Sequence, residues 1–123
     1  IIRNLVKNFG KSLQNVSLSS PNAPEAIIQN YQNFVSAALL KKWKLNPSQA
    51  PGRWKSNPWP DRIEITEIKK INETTYIIYG HIIEITSAEQ INGGIAAEHD
   101  ITLTVTKINN RWLISEVALG AYK

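Results

Sequence analysis

The sequence contains no cysteine and no methionine. Without cysteine the chain can form no disulfide, no zinc–thiolate site and no thiol nucleophile. Without methionine it lacks a translational start of its own, so we expect that an upstream segment has been removed. A signal peptide, a lipid anchor or a transmembrane helix would each satisfy that expectation.

Long hydrophobic runs are also missing, and no stretch approaches the roughly 18 apolar residues of a membrane span. The 123 residues suffice for one domain with a single core, and 42% hydrophobic with 20% charged residues is typical of a folded globular protein. The sequence shows no glycine-rich phosphate loop, nucleophile elbow or zinc-ligand spacing. We therefore expect neither a cofactor nor a metal ion.

Charge is distributed unequally between the two halves of the chain. Residues 1–60 contain eight Lys or Arg and one acidic residue, a net charge of +7, whereas residues 61–123 contain six and nine, a net charge of −3. Arg3, Lys7 and Lys11 recur at intervals of four along the first predicted helix. This row indicates either a solvated helix face or contact with an anionic surface. It lacks interleaved aromatic residues, so we expect no nucleic-acid binding.

Residues 1–45 show the periodicity of three helices. In the first, apolar residues recur at spacings of three and four, which indicates one buried stripe. Asn22, followed three residues later by Glu25, predicts the start of a second helix through a side-chain cap. Ser36 predicts the cap of a short third helix, which Asn46-Pro47 ends. The residues of the first stripe are Ile2, Val6, Phe9, Leu13 and Val16.

Residues 46–62 form what we call the proline–tryptophan belt, with four of the six prolines and two of the four tryptophans. Proline favours an extended and irregular path. Such a path cannot bury Trp54 and Trp59 by itself, so we expect both rings to dock onto the core. Arg53 and Arg62 are placed to stack on an indole. The belt is a candidate structural element and also a candidate recognition surface.

Residues 63–120 change to a period of two, which indicates four antiparallel strands. Gly80 inside the long second strand predicts a bulge or bend, and Asn109-Asn110 predicts a tight hairpin. The resulting fold class is α+β, with three N-terminal helices packed on the concave face of a strongly bent four-stranded antiparallel sheet.

Two stretches also carry a resemblance. The run Arg62 to Leu119, closing with Asn110-Arg111-Trp112-Leu113-Ile114, resembles the C-terminal half of the nuclear transport factor 2-like (cystatin-like) superfamily. Residues 50–53 and 58–65 resemble small uncharacterised extracytoplasmic proteins of Gram-positive bacteria. The resemblance implies a secreted or membrane-anchored protein. Enzymes of the superfamily usually insert a strand hairpin among the helices, and its absence here favours the non-catalytic branches.

The superfamily's pocket between helices and sheet directs attention to four residues. In a ketosteroid-isomerase-like interpretation Asp61 or His81 would serve as a general base, and Tyr31 or Tyr79 would donate to a developing oxyanion. No catalytic motif of the superfamily matches these positions, so we assign them as candidate pocket residues and none as catalytic. The alternation of His81 with Tyr79 instead favours a half-buried strand residue. Glu98-His99-Asp100 offers metal-ligand types, but adjacent strand residues point to opposite faces and cannot converge on one ion.

Two hypotheses for function follow. The first is a non-enzymatic extracytoplasmic domain that binds an unidentified protein partner, or forms homodimers through its sheet. The alternative is a small-ligand-binding, isomerase or lyase-type protein that uses a pocket near Tyr79 and His81. A pocket filled by large side chains would exclude the alternative.

Overall fold

The structure is a computed structural model that describes residues 1–122. It contains four helices and four long strands, with short 3₁₀ turns at Leu13–Asn15 and Pro47–Gln49. The helices are α1 (Ile2–Ser12), α2 (Ala23–Tyr31), α3 (Ala37–Leu45) and α4 (Ser87–Asn92), and the strands are β1 (Trp59–Asn72), β2 (Thr75–Ile85), β3 (Ala97–Ile108) and β4 (Arg111–Tyr122).

The strands form one antiparallel meander in the order β1-β2-β3-β4, so β1 and β4 are its two edges. The α+β class and the four antiparallel strands are therefore confirmed. The strands extend beyond the predicted bounds: β1 begins inside the belt at Trp59, and β4 runs on to Tyr122. Three register shifts in the β1–β2 pairing and two in the β3–β4 pairing introduce bulges, which bend and twist a sheet.

The starts of the predicted helices have different chemistry. The cap of α3 is confirmed, since the Ser36 hydroxyl accepts a hydrogen bond from the Leu39 amide at 3.2 Å. The predicted side-chain cap of α2 is wrong, because Asn22 makes no such bond. Its backbone, at φ −89° and ψ 11°, lacks the extended conformation that aims a cap side chain at the first turn.

Helix α4 was not predicted, so the expectation of three helices is corrected to four. It begins with a capping box in which the Glu89 carboxylate accepts from the Thr86 amide at 2.7 Å, while the Thr86 hydroxyl accepts from the Ala88 amide at 3.3 Å. The hydrogen bonds from Thr86 lower the pKa of Glu89. The Thr-x-x-Glu spacing at residues 86–89 is the sequence signal for this helix.

The core lies between the first three helices and one face of the sheet. Three aromatic rings occupy its centre: the Phe9 and Tyr31 rings have centroids 5.0 Å apart, and Tyr31 and Trp43 are 5.8 Å apart. All three side chains are fully buried. They pack over a layer of apolar residues on the sheet, namely Ile63, Ile78, Ile82, Ile101, Leu103, Val105 and Ile114.

Gly80 lies where β1 and β2 are in close contact. A side-chain carbon at Gly80 would collide with the backbone carbonyl of Glu64. The register shift next to it, between Ile65 and Glu67, shows that the bulge predicted at Gly80 lies on the opposite strand. The hairpin at Asn109-Asn110 is as predicted, with φ values of 50° and 65°.

The belt does not anchor the core as expected. Trp54 is 53% exposed, and Trp59 is half-buried and pairs with Ile85 at the start of β1, so the prediction that both rings dock onto the core is wrong. Ala50 is the belt residue that joins the core. Beyond it the segment around Trp54 runs along the surface, where the Arg53 amide donates to the Val16 carbonyl at 2.9 Å. The tryptophan that the core does contain is Trp43.

Candidate functional site

Tyr31, one of the predicted pocket residues, is a core residue. Its hydroxyl donates to the carbonyl of Pro51 at 2.7 Å, and burial raises the pKa of Tyr31 far above its usual range. Phe9 and Trp43 pack against its ring on the inner side of the sheet. This part of the concave face is therefore filled, and Tyr31 holds residue 51 against the helices.

Tyr79 and His81 lie on the other side of the sheet. Because side chains alternate along a strand, they point away from the face on which Ile78 and Ile82 join the core. His81 is half-buried, as predicted, and its Nδ1 lies 2.8 Å from the Asp100 carboxylate directly across the β2–β3 ladder. The structure thus brings Tyr79 and His81 together on one face and separates them from Tyr31.

Asp61 and Arg62 belong to an ion-pair chain at the outer margin of the sheet. The Arg62 guanidinium lies 2.7 Å from the Asp61 carboxylate and 3.0 Å from that of Glu64. Both carboxylates raise the pKa of Arg62. Partly exposed pairs of this kind contribute about 0 to 1 kcal/mol. Arg62 binds carboxylates and Arg53 binds the Gln14 carbonyl at 3.2 Å. Among the described residues the cation–π contact that forms joins Lys107 to Trp112, so the expected stacking of Arg53 or Arg62 on an indole is not made.

A second group of ionisable residues, which was not predicted from the sequence, consists of Glu84, His99 and Tyr122. Glu84 is only 7% exposed, and its carboxylate accepts a hydrogen bond from the Tyr122 hydroxyl at 3.0 Å. The His99 ring stacks on Tyr122 with centroids 4.2 Å apart. The available signal was a charged residue inside the apolar run Ile82-Ile83-Glu84-Ile85. A buried carboxylate beside an imidazole is an arrangement suited to proton transfer.

The environment of this group shifts two pKa values. Burial lowers the pKa of His99, against the opposing effect of the nearby Glu84 and Asp100 carboxylates. Burial, together with the negative charge of Glu84, raises the pKa of Tyr122 to about 12. His99 shares its face with Tyr122, whereas the next residue, Asp100, pairs with His81 on the opposite face. Within residues 1–122, no three His, Asp or Glu side chains are grouped to hold a metal ion.

Two grooves open at the edges of the sheet. One, of about 760 Å³, lies between α3 and β4, with Leu39, Lys42 and Trp43 on one wall and Val117 and Leu119 on the other. The second groove, of about 530 Å³, lies between α1 and β1. It is lined by Arg3, Lys7 and Lys11 on the helix and by residues 62–65 on the strand.

Comparison with known proteins yields one structural neighbour. No protein-family model and no curated protein matches the chain. The fold is similar to the crystal structure of an NTF-2-like protein of unknown function from Shewanella oneidensis MR-1, with 19% identity, coverage of 94% of this chain and 96% of that chain, and a TM-score of 0.47. The narrower resemblance to Gram-positive extracytoplasmic proteins stays a prediction.

Among the helices in residues 1–122, none combines the length and the hydrophobicity needed to cross a membrane.

Proposed function

We propose that the protein is a non-enzymatic interaction domain that self-associates through the outer face of its sheet. The observation that carries this proposal is the contrast between the two faces of the central strand β2. Helices α1, α2 and α3 fill the inner face, whereas Ile77, Tyr79 and His81 stay half-exposed on the outer face. Further along the same outer face, Ile83 and Ile85 are buried. A central strand with apolar residues on both faces is typical of a sheet covered on both sides.

The outer face is also complementary to itself in charge. One row across the four strands reads Lys69, Ile77, Thr104 and Glu116 in direct register, with a cation at one end and a carboxylate at the other. A two-fold axis parallel to the strands would place Lys69 of one copy opposite Glu116 of the second, and Ile77 opposite Thr104. Such an arrangement is the isologous contact expected of a homodimer.

Light scattering across a concentration series tests the proposal. Tyr79→Arg adds a charge to the centre of the face, so it should weaken association by about tenfold or more. Gln29→Arg, on the exposed surface of α2, adds the same charge elsewhere and should leave association unchanged. A wild-type protein that stays monomeric at millimolar concentration would exclude self-association.

A charge exchange tests the geometry of the contact. Lys69→Glu and Glu116→Lys should each weaken association by a few-fold, because each places like charges opposite one another. The double variant restores opposite charges and should recover the wild-type association constant. Additive losses in the double variant would reject the two-fold arrangement.

Location and a further partner belong to the same proposal. We propose that the protein acts outside the cytoplasm and that Arg3, Lys7 and Lys11 contact an anionic surface there. Their exposure along one side of α1, in a half of the chain with net charge +7, supports this. Cosedimentation with phosphatidylglycerol vesicles should exceed that with phosphatidylcholine vesicles, and Lys7→Glu should reduce it. Fractionation of the source cells tests location directly.

The buried carboxylate of Glu84 favours a second candidate function, which is small-ligand binding or isomerase-type chemistry. Glu84 beside His99 and Tyr122 offers one hydrogen-bond acceptor and two groups able to carry protons. A small-molecule screen by NMR would show shifts of the His99 ring that are lost in Glu84→Gln. Ligands that shift no signal near this group would count against the candidate.

A further inference from the structure

The free edge of β4 has the geometry of a strand-binding site. The Ile114 amide donates to the Phe34 carbonyl at 2.8 Å, and the Ile114 carbonyl accepts from the Ser36 amide at 2.8 Å. Residues 34–36 thus already pair with β4, in parallel, at its outer edge. This short pairing shows that an extended backbone can bind at the edge. It also shows that the backbone amide and carbonyl of Ile114 point away from β3.

The same edge continues without a partner strand beyond residue 114. A register shift follows Ile114, after which Glu116, Val117, Ala118 and Leu119 pair in order with residues of β3. Because hydrogen bonding alternates along an antiparallel strand, the backbone groups of Val117 and Leu119 face outward. In residues 1–122, no backbone hydrogen bond joins these groups to another element.

The groove beside this edge provides space and charge. Helix α3 forms its far wall with Leu39 and Lys42, and the half-buried Val117 and the 42% exposed Leu119 present apolar surface on the near wall. An extended segment of about five residues, roughly 17 Å long, would span residues 116–120. The groove holds one charge of each sign, Lys42 on α3 and Glu116 on β4. In the described part of the chain no carboxylate forms a salt bridge with Lys42, so a ligand carboxylate on the α3 side of the groove could pair with it.

We propose that this groove binds an extended acidic segment of a partner protein, which adds to β4 as a fifth strand. Main-chain hydrogen bonds to Val117 and Leu119 would supply affinity, the apolar walls would take alternate side chains, and Lys42 would select an acidic residue. Thr104 and Glu116 line both this groove and the outer face proposed for self-association, whereas Tyr79 lies on the outer face alone, so Tyr79→Arg distinguishes the two proposals. Either proposal can fail without the other.

The test uses synthetic peptides of alternating valine and glutamate and the isotope-labelled full chain. NMR titration should shift the amides of Val117 and Leu119 and slow their hydrogen exchange. A peptide that is methylated on alternate backbone nitrogens keeps its side chains but loses backbone hydrogen-bond donors. Its affinity should therefore be lower by about tenfold. A valine–lysine peptide should also bind more weakly, and Lys42→Glu should reverse that preference.

Control variants separate the edge from other surfaces. Lys55→Glu, in the exposed belt, matches the charge change of Lys42→Glu and should leave peptide binding unaltered. Tyr79→Arg should also leave it unaltered, because the ring lies on the outer face. Binding that is insensitive to backbone methylation, shifts confined to residues 62–65 of β1, or absence of binding at millimolar peptide would overturn the proposal. Concentration-dependent protection of Val117 without peptide would instead assign the edge to a second copy of the chain.

Discussion

The two faces of strand β2 differ in what covers them. On the inner face Ile78 and Ile82 are buried beneath helices and aromatic rings, while on the outer face Tyr79 and His81 are half-exposed and contact neighbouring strands. Both faces arise from one alternating sequence. The difference teaches that exposure depends on what packs against a strand, because the strand itself carries apolar groups on both sides.

This contrast also bears on function. The inner face is occupied by Phe9, Tyr31 and Trp43, so the middle of the concave side is closed by side chains. Polar groups are available for interaction in three other places: Glu84 at the end of the sheet, the outer face of the sheet, and the open edge of β4. This distribution supports the proposed role in surface-based interaction.

The largest expected change in the free energy of unfolding comes from substitution within the inner aromatic cluster of Phe9, Tyr31 and Trp43. Trp43→Ala removes a fully buried ring and should lower the free energy of unfolding by about 3 to 5 kcal/mol. Trp54→Ala, at a 53% exposed position in the belt, should change it by no more than about 0.5 kcal/mol. Urea titration of both variants provides the measurement, and similar losses would show that the belt is part of the core.

Gly80→Ala probes the close approach of the two strands. The added methyl group meets the Glu64 backbone carbonyl, so β1 must shift, at a cost of about 1 to 3 kcal/mol. Urea titration again measures the loss, with Gln90→Ala on α4 as a surface control. Undiminished stability would mean that the strands separate there without difficulty.

A hydrogen bond on the outer face should contribute less. The Thr106 and Ser115 hydroxyl oxygens lie 2.7 Å apart. Thr106→Val keeps the shape of the side chain and removes the hydroxyl, which should cost about 0.5 to 1.5 kcal/mol. A double-mutant cycle with Ser115→Ala isolates the interaction, and a coupling energy of zero would show that the bond does not stabilise the outer face.

The smallest expected effect is the pH dependence of stability caused by His99, at the margin of the inner face. Burial lowers the pKa of His99, so the unfolded chain binds a proton first as pH falls below about 6.5. Stability should therefore decrease between pH 6.5 and the lower pKa of the folded protein, and level off beneath that value. Comparing urea midpoints of wild type and His99→Gln isolates the contribution of His99 to this dependence. Parallel pH profiles for the two proteins would contradict it.

The sequence predicted regular elements better than their contacts. The three N-terminal helices, the Ser36 cap, the Asn109-Asn110 hairpin and the four strands were recoverable because each depends on residues close together in the chain. Helix α4 had a local signal, the capping box at residues 86–89, and was predictable in principle. The grouping of the candidate site residues could not be predicted in this way, since Tyr31 and Tyr79 lie on opposite sides of the sheet.

Periodicity and turn chemistry by themselves determined an α+β domain whose second strand is apolar on both faces, because backbone geometry dictates both patterns. Only the tertiary structure decided which tryptophan enters the core. Trp43 lies on a helix that packs over the sheet, whereas Trp54 follows a surface path held by the Arg53 backbone. Likewise Glu84, His99 and Tyr122 come from three strands, and their meeting depends on a register that no single segment encodes.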